Sequence, residues 1–71
     1  MPYKLPKDES VWVSYRNRKG DPVFLVTSKP SRDTYFLYEI VKGVPTRLGK
    51  SVSPEELVEK HNVLGRIAEK D

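Results

Sequence analysis

Pairing the first two apolar segments of this chain as a hairpin fixes their register, and that register leaves apolar side chains on both faces of the sheet. Val11-Trp12-Val13-Ser14-Tyr15-Arg16 and Val23-Phe24-Leu25-Val26-Thr27 flank the turn-forming stretch Asn17 to Pro22. A two-residue turn at Lys19-Gly20 and a four-residue loop from Arg18 to Asp21 give the same pairing, with Tyr15 opposite Phe24 and Val13 opposite Val26. Side chains alternate along a strand. One face therefore holds Val11, Val13, Tyr15, Phe24 and Val26, and the other Trp12, Ser14, Arg16, Val23, Leu25 and Thr27. A small sheet needs one buried face. A second face with an indole and two aliphatics asks for a partner.

Downstream, Ser28 to Asp33 is dense in turn formers, and Thr34 to Val41 is the strongest strand signal in the chain, rich in aromatic and β-branched residues. A five-residue loop between strands two and three sets Val26 opposite Phe36 and Phe24 opposite Tyr38. The opposite face then gains Tyr35, Leu37, Glu39 and Val41. A one-residue slip in this loop would reverse strand three. Lys42 to Pro45 reads as a second turn. Thr46 to Lys50 reads as a short edge strand whose only large apolar residue is Leu48; a regular second turn sends Leu48 to the mixed face. Ser53, Pro54 and Glu56 then spell a helix start, with an N-cap, a proline at N1 and a capping box, and Val52 and Leu57 are placed for a hydrophobic staple. Leu57, Val58, His61 and Leu64 fall on one helical stripe. Asn62 can cap a short helix or Gly65 end a longer one, and Ile67 and Ala68 extend the stripe if it continues.

The expected fold class is therefore α+β, a four-stranded antiparallel β-meander with one C-terminal helix packed on one face (ββββα). That face bears Val13, Tyr15, Phe24, Val26, Phe36 and Tyr38. Residues 1–9 read as an extended N-terminal segment, from which Tyr3 and Leu5 can reach the domain. Residues 10–71 read as a single small domain.

At 71 residues the chain lies near the lower limit for a self-sufficient core. It has no cysteine, so disulfides and thiolate metal sites are excluded. No apolar run approaches the roughly 20 residues of a membrane helix, and no signal peptide is visible, so the expected location is cytoplasmic with no membrane partner. An enzyme is not expected. The single histidine, His61, lies on the apolar helix stripe and reads as a boundary core residue. Glu55, Glu56 and Glu59 read as cap and solvated face, the glycines stand alone in turns or ends, and no metal or other cofactor is expected.

A binding surface is the better-supported class. Net charge is +3, with ten basic against five acidic residues in the first 50, and three against five in the remainder. A basic sheet region permits a polyanionic partner. Trp12 in line with Arg16, with Arg18 and Lys19 at the hairpin tip, suits base stacking or wedging, and Lys29, Arg32 and Lys50 suit phosphate contacts. The nucleic-acid reading uses these seven residues. The rival reading is a protein-interaction module, a small accessory or inhibitor protein or a self-association face, built on the apolar patch Trp12, Leu25, Leu37 and Leu48. In layout, the strand order with the Ser53-Pro54-Glu55-Glu56-Leu57 helix resembles the small archaeal chromatin proteins and the arm-binding domain of phage-type integrases. The first of these resemblances implies a sheet that sets an aromatic residue against DNA.

Overall fold

The computed structural model describes residues 5–69. Strands β1 (Ser10–Arg16), β2 (Pro22–Lys29), β3 (Thr34–Val41) and β4 (Val44–Ser51) form one antiparallel sheet in sequential order. Two seven-residue helices follow, α1 (Pro54–Lys60) and α2 (Val63–Glu69), where the sequence predicts one. The break is Asn62, whose φ of 50° puts it in the left-handed region that ends a helix and that Asn tolerates. The turn carries the helical stripe off line: Val63 is buried and Leu64 is 65% exposed, the reverse of what an unbroken helix would give.

The first hairpin keeps its predicted centre, with Tyr15 opposite Phe24 and Val13 opposite Val26. The turn is neither of the two expected forms. Asn17 and Asp21 close it by the Asn17 N–H donating to the Asp21 carbonyl (3.0 Å), leaving the three residues Arg18, Lys19 and Gly20 between them. Gly20 has φ 88°, the left-handed position such a loop requires. The odd loop length is absorbed by a bulge at Val23, and a second bulge lies at Trp12. A third, on β4, makes Leu48 the extra residue between the Leu37–Gly49 and Tyr38–Arg47 pairs. In a bulge two successive residues face one partner, and alternation is locally lost.

The β2–β3 connection also differs. Four residues, Pro30 to Asp33, separate the paired Lys29 and Thr34. They form a 3₁₀ turn over Pro30–Arg32, closed by Asp33 at φ 49°. One residue fewer than expected turns β3 over. Val26 pairs with Leu37 rather than Phe36, and Leu25 with Tyr38. The helix-covered face therefore carries Leu37 and Tyr35, not Phe36 and Tyr38. Leu37 makes the main core with Phe24, Val26, Val23, Leu57 and Val63, flanked by Val13, Tyr15, Tyr35, Leu48, Val58 and Ile67. At the β3–β4 turn, Lys42 and Gly43 both have positive φ, a two-residue hairpin turn, so β4 starts at Val44 and Pro45 sits within it. Proline is tolerated there because β4 is an edge.

At the helix start, Ser53 Oγ accepts from the Glu56 N–H at 3.4 Å, as the capping box requires. Its other half does not form: the Ser53 N–H donates to Ser51 Oγ, and Ser53 Oγ donates to Glu55. The staple does not form either, since Val52 is 76% exposed. Helix α1 packs chiefly on β3 and β4. His61, at its end, sits over Gly49, where an added Cβ would lie 2.9 Å from the imidazole Nε2. Arg66 of α2 lies over the Phe24 ring and pairs with Glu39 at 3.2 Å.

The second face is buried as well. Leu25, Phe36 and Tyr38 form a smaller core there with Ile40 and with Leu5 from the N-terminal segment. Tyr3 lies outside the described residues. The segment turns back over Pro6 to Glu9, whose N–H donates to the Pro6 carbonyl. This delivers the Glu9 carboxylate, buried to 1% exposure, into the sheet. Thr27 Oγ1 and the Tyr38 hydroxyl each donate to it at 2.7 Å, and Arg47 Nη2 donates at 2.8 Å. Arg47 also donates to the Tyr38 hydroxyl and stacks over Phe36, 4.1 Å from the ring centroid. Outside this network, Asp8 pairs with Lys29 at 3.1 Å, which holds the Asp8 carboxyl below its usual range.

Removing one partner of a buried ion pair strands the others. We expect Glu9→Ala to cost about 2–4 kcal/mol in chemical denaturation; a loss under about 0.5 kcal/mol would show that the carboxylate does not hold the second face. Burial is the main cause that pushes the Tyr38 phenol above its ordinary value. A raised folded-state value favours the protonated form, so the contribution is complete below about pH 10 and is lost as pH rises through the folded value. The stability difference between the wild type and Tyr38→Phe should therefore be flat to about pH 9 and shrink above pH 10. At the helix break, Asn62→Gly should be nearly neutral, whereas Asn62→Val should cost about 1–2 kcal/mol, because a β-branched residue resists positive φ.

Candidate functional site

The bulge at Trp12 decides where the indole goes. With Trp12 and Val13 both set against Val26, the indole leaves the mixed face and joins the helix side of the sheet. There it meets Tyr35 edge-on, with ring centroids 5.3 Å apart and planes at 71°. It nevertheless remains 58% exposed. The reason is the offset of the helices: α1 lies on the β3–β4 half, so the β1 half of the same face is only partly covered.

Between β1 and the helices lies an open groove of about 500 Å³. Trp12, Val13 and Tyr15 line it from the sheet, and Pro54, Val58 and Leu64 from the helices. Exposed Glu55, Glu59 and Asn62 complete the lining, and no Lys or Arg lines it. Trp12 and Leu64 are two of the largest exposed apolar side chains among the described residues.

The four residues of the expected apolar patch do not come together. Leu25 and Leu37 are wholly buried on opposite faces, Leu25 under the N-terminal segment and Leu37 under the helices. Leu48 is half-buried against the main core. Only Trp12 of the four is open to solvent. Sequence reading missed Val58 and Leu64 as groove residues, although their helical positions were visible, because the break at Asn62 is what brings Leu64 to the groove's edge.

The expected nucleic-acid set is likewise divided. Arg16, Arg18 and Lys19 lie at the β1–β2 turn, where the Arg16 guanidinium donates to the Gly20 carbonyl at 2.7 Å. Lys29, Arg32 and Lys50 lie at the other end of the sheet, about 20 Å away along the strands. Together with Arg47 they line a second, shallow concavity of about 530 Å³ around Phe36. Trp12 belongs to neither group.

His61 stands half-buried against Gly49 and lines neither concavity. Among the described residues, no three His, Asp or Glu side chains converge as a metal ion would need. No helix among them is long and apolar enough to cross a membrane.

Comparison of the chain with protein-family models, with curated proteins and with solved structures found no match in any of the three.

Proposed function

We propose that this domain is a non-enzymatic binding module that docks an apolar segment of another protein in the groove between β1 and the helices. The observation that carries the reading is the placement of Trp12, which a bulge turns into the groove and which stays more than half exposed. Tryptophan anchors seated in partly formed apolar pockets supply much of the binding energy at protein interfaces. The groove's volume falls within the range of built binding sites.

Its charge selects the occupant. Glu55 and Glu59 line the groove, without a basic counterpart. A segment with aliphatic or aromatic side chains flanked by Lys or Arg matches both the apolar floor and the acidic wall. A phosphate backbone at this indole would meet two carboxylates instead, which separates this reading from base stacking on Trp12.

Panning a random peptide library against the full chain tests the proposal. We expect enriched peptides to carry two or three large apolar residues beside Lys or Arg, and to shift the emission of the sole tryptophan to the blue. Trp12→Ala should weaken them at least tenfold, consistent with loss of a hot spot worth about 2 kcal/mol. Glu55→Lys with Glu59→Lys should weaken them and reverse the preference for basic flanks. Equal binding to Trp12→Ala, or a concentration-dependent dimer that buries Trp12 without peptide, would overturn the proposal.

A further inference from the structure

We infer that the opposite face of the sheet carries a second and independent site, which takes the phosphodiester backbone of a nucleic acid without reading its sequence. The site is the shallow concavity where Lys29, Arg32, Arg47 and Lys50 surround Phe36. No acidic side chain lines it.

Two of the four cations are already paired with carboxylates of the N-terminal segment. Arg47 is held by Glu9, and Lys29 by the half-exposed Asp8. Arg32 and Lys50 are exposed and make no ion pair or side-chain hydrogen bond among the described residues, although the Asp8 carboxylate lies within electrostatic reach of Arg32 as well as of Lys29. The sheet places them on either side of Phe36: Lys50 is its cross-strand partner, and Arg32 is in the turn that leads into β3. Lys29 is only 22% exposed, but its partner Asp8 is half-open to water, and a phosphate can take the place of that carboxylate on the same ammonium.

The kind of anion follows from the shape and from Phe36. The cations are spread over an open depression and do not converge on one point, which suits successive phosphates along a chain better than a single phosphate group. Phe36 is buried and capped by Arg47, so its ring offers no surface on which a base could stack. Contacts confined to phosphates fix position and carry no sequence information. The acidic stretch of the chain, Glu55 to Glu59, lies on the helix side of the sheet, so the basic face is shielded from it.

Titration of the full chain with labelled single-stranded and duplex oligonucleotides of mixed sequence, at several salt concentrations, tests this. If Lys29, Arg32 and Lys50 engage three phosphates, the logarithm of the binding constant should fall against the logarithm of salt with a slope of about −2 for single strands and about −3 for duplex. Arg32→Glu with Lys50→Glu changes only exposed side chains and should weaken binding at least tenfold, with little difference between sequences. Arg18→Glu with Lys19→Glu, at the far hairpin, should change it less than twofold. The inference is overturned if the hairpin variant loses binding and the Arg32/Lys50 variant does not, or if binding is absent at low salt or insensitive to it. It is also overturned if inorganic phosphate or pyrophosphate binds the same residues more tightly than the oligonucleotides do, which would make the ligand a small phosphate. Failure here leaves the Trp12 groove untouched, since the two sites share no residue.

Discussion

The run Val23 to Thr27 is buried residue by residue, so β2 has no wet side. In an antiparallel sheet of four strands, this is the condition that every other element serves. Alternation normally gives such a sheet one dry and one solvated face. Here both faces at the centre must be covered, and the chain has little material left for the task. The helices cover one face with aliphatic contacts, through Leu57 and Val63. Among the described residues, the N-terminal segment covers the other with Leu5 and a buried carboxylate. The two solutions differ in kind. The helix side is held by area removed from water, which tolerates small shifts. The other side is held by three directed hydrogen bonds to Glu9, which do not.

Much of this architecture is visible in the amino-acid order. The centre of the first hairpin, the third strand over Thr34 to Val41, the sequential strand order and the Ser53 cap follow from periodicity and local chemistry. What is not visible is every place where the chain gains or loses one residue relative to its partner. Bulges at Trp12, Val23 and Leu48 each send an apolar side chain to the helix side, where strict alternation sends it elsewhere. The β2–β3 turn drops one residue and inverts β3. These are single-residue decisions, set by the closing geometry of turns such as Asp33 at positive φ and by the fit of side chains across the sheet. No window of sequence contains that information. Glu9 is a different omission. A glutamate in a Pro- and Lys-rich leader has no local signature of burial, and only its partners Thr27, Tyr38 and Arg47, up to 38 positions away, explain it.

The same displacements explain why the candidate sites were legible only as residue types. In the sequence Trp12 shares one mixed face with Arg16 and with Leu25, Leu37 and Leu48, and so serves both a basic and an apolar reading. The folded chain spends the leucines on its cores and separates the indole from the cations. Acidic side chains end up beside the apolar groove and basic ones around Phe36, with the thickness of the sheet between them. Two readings that compete for one surface in the sequence fall to different sides of the molecule.

The positions of two of the bulges have a further consequence. Strands β1 and β4 are the two borders of the sheet, and each carries one, at Trp12 and Leu48. A border strand offers a row of unsatisfied amides and carbonyls to any other extended chain, and a regular border is a template for fibrillar stacking. An extra residue spoils the spacing of that row and bends it, and Pro45 removes a further donor from β4. Side-by-side growth through either border is thereby hindered, in addition to the exposed charges of Arg16 on β1 and of Arg47 and Lys50 on β4. The device that opens a groove beside β1 also keeps a small, β-rich chain from polymerising through its own edges.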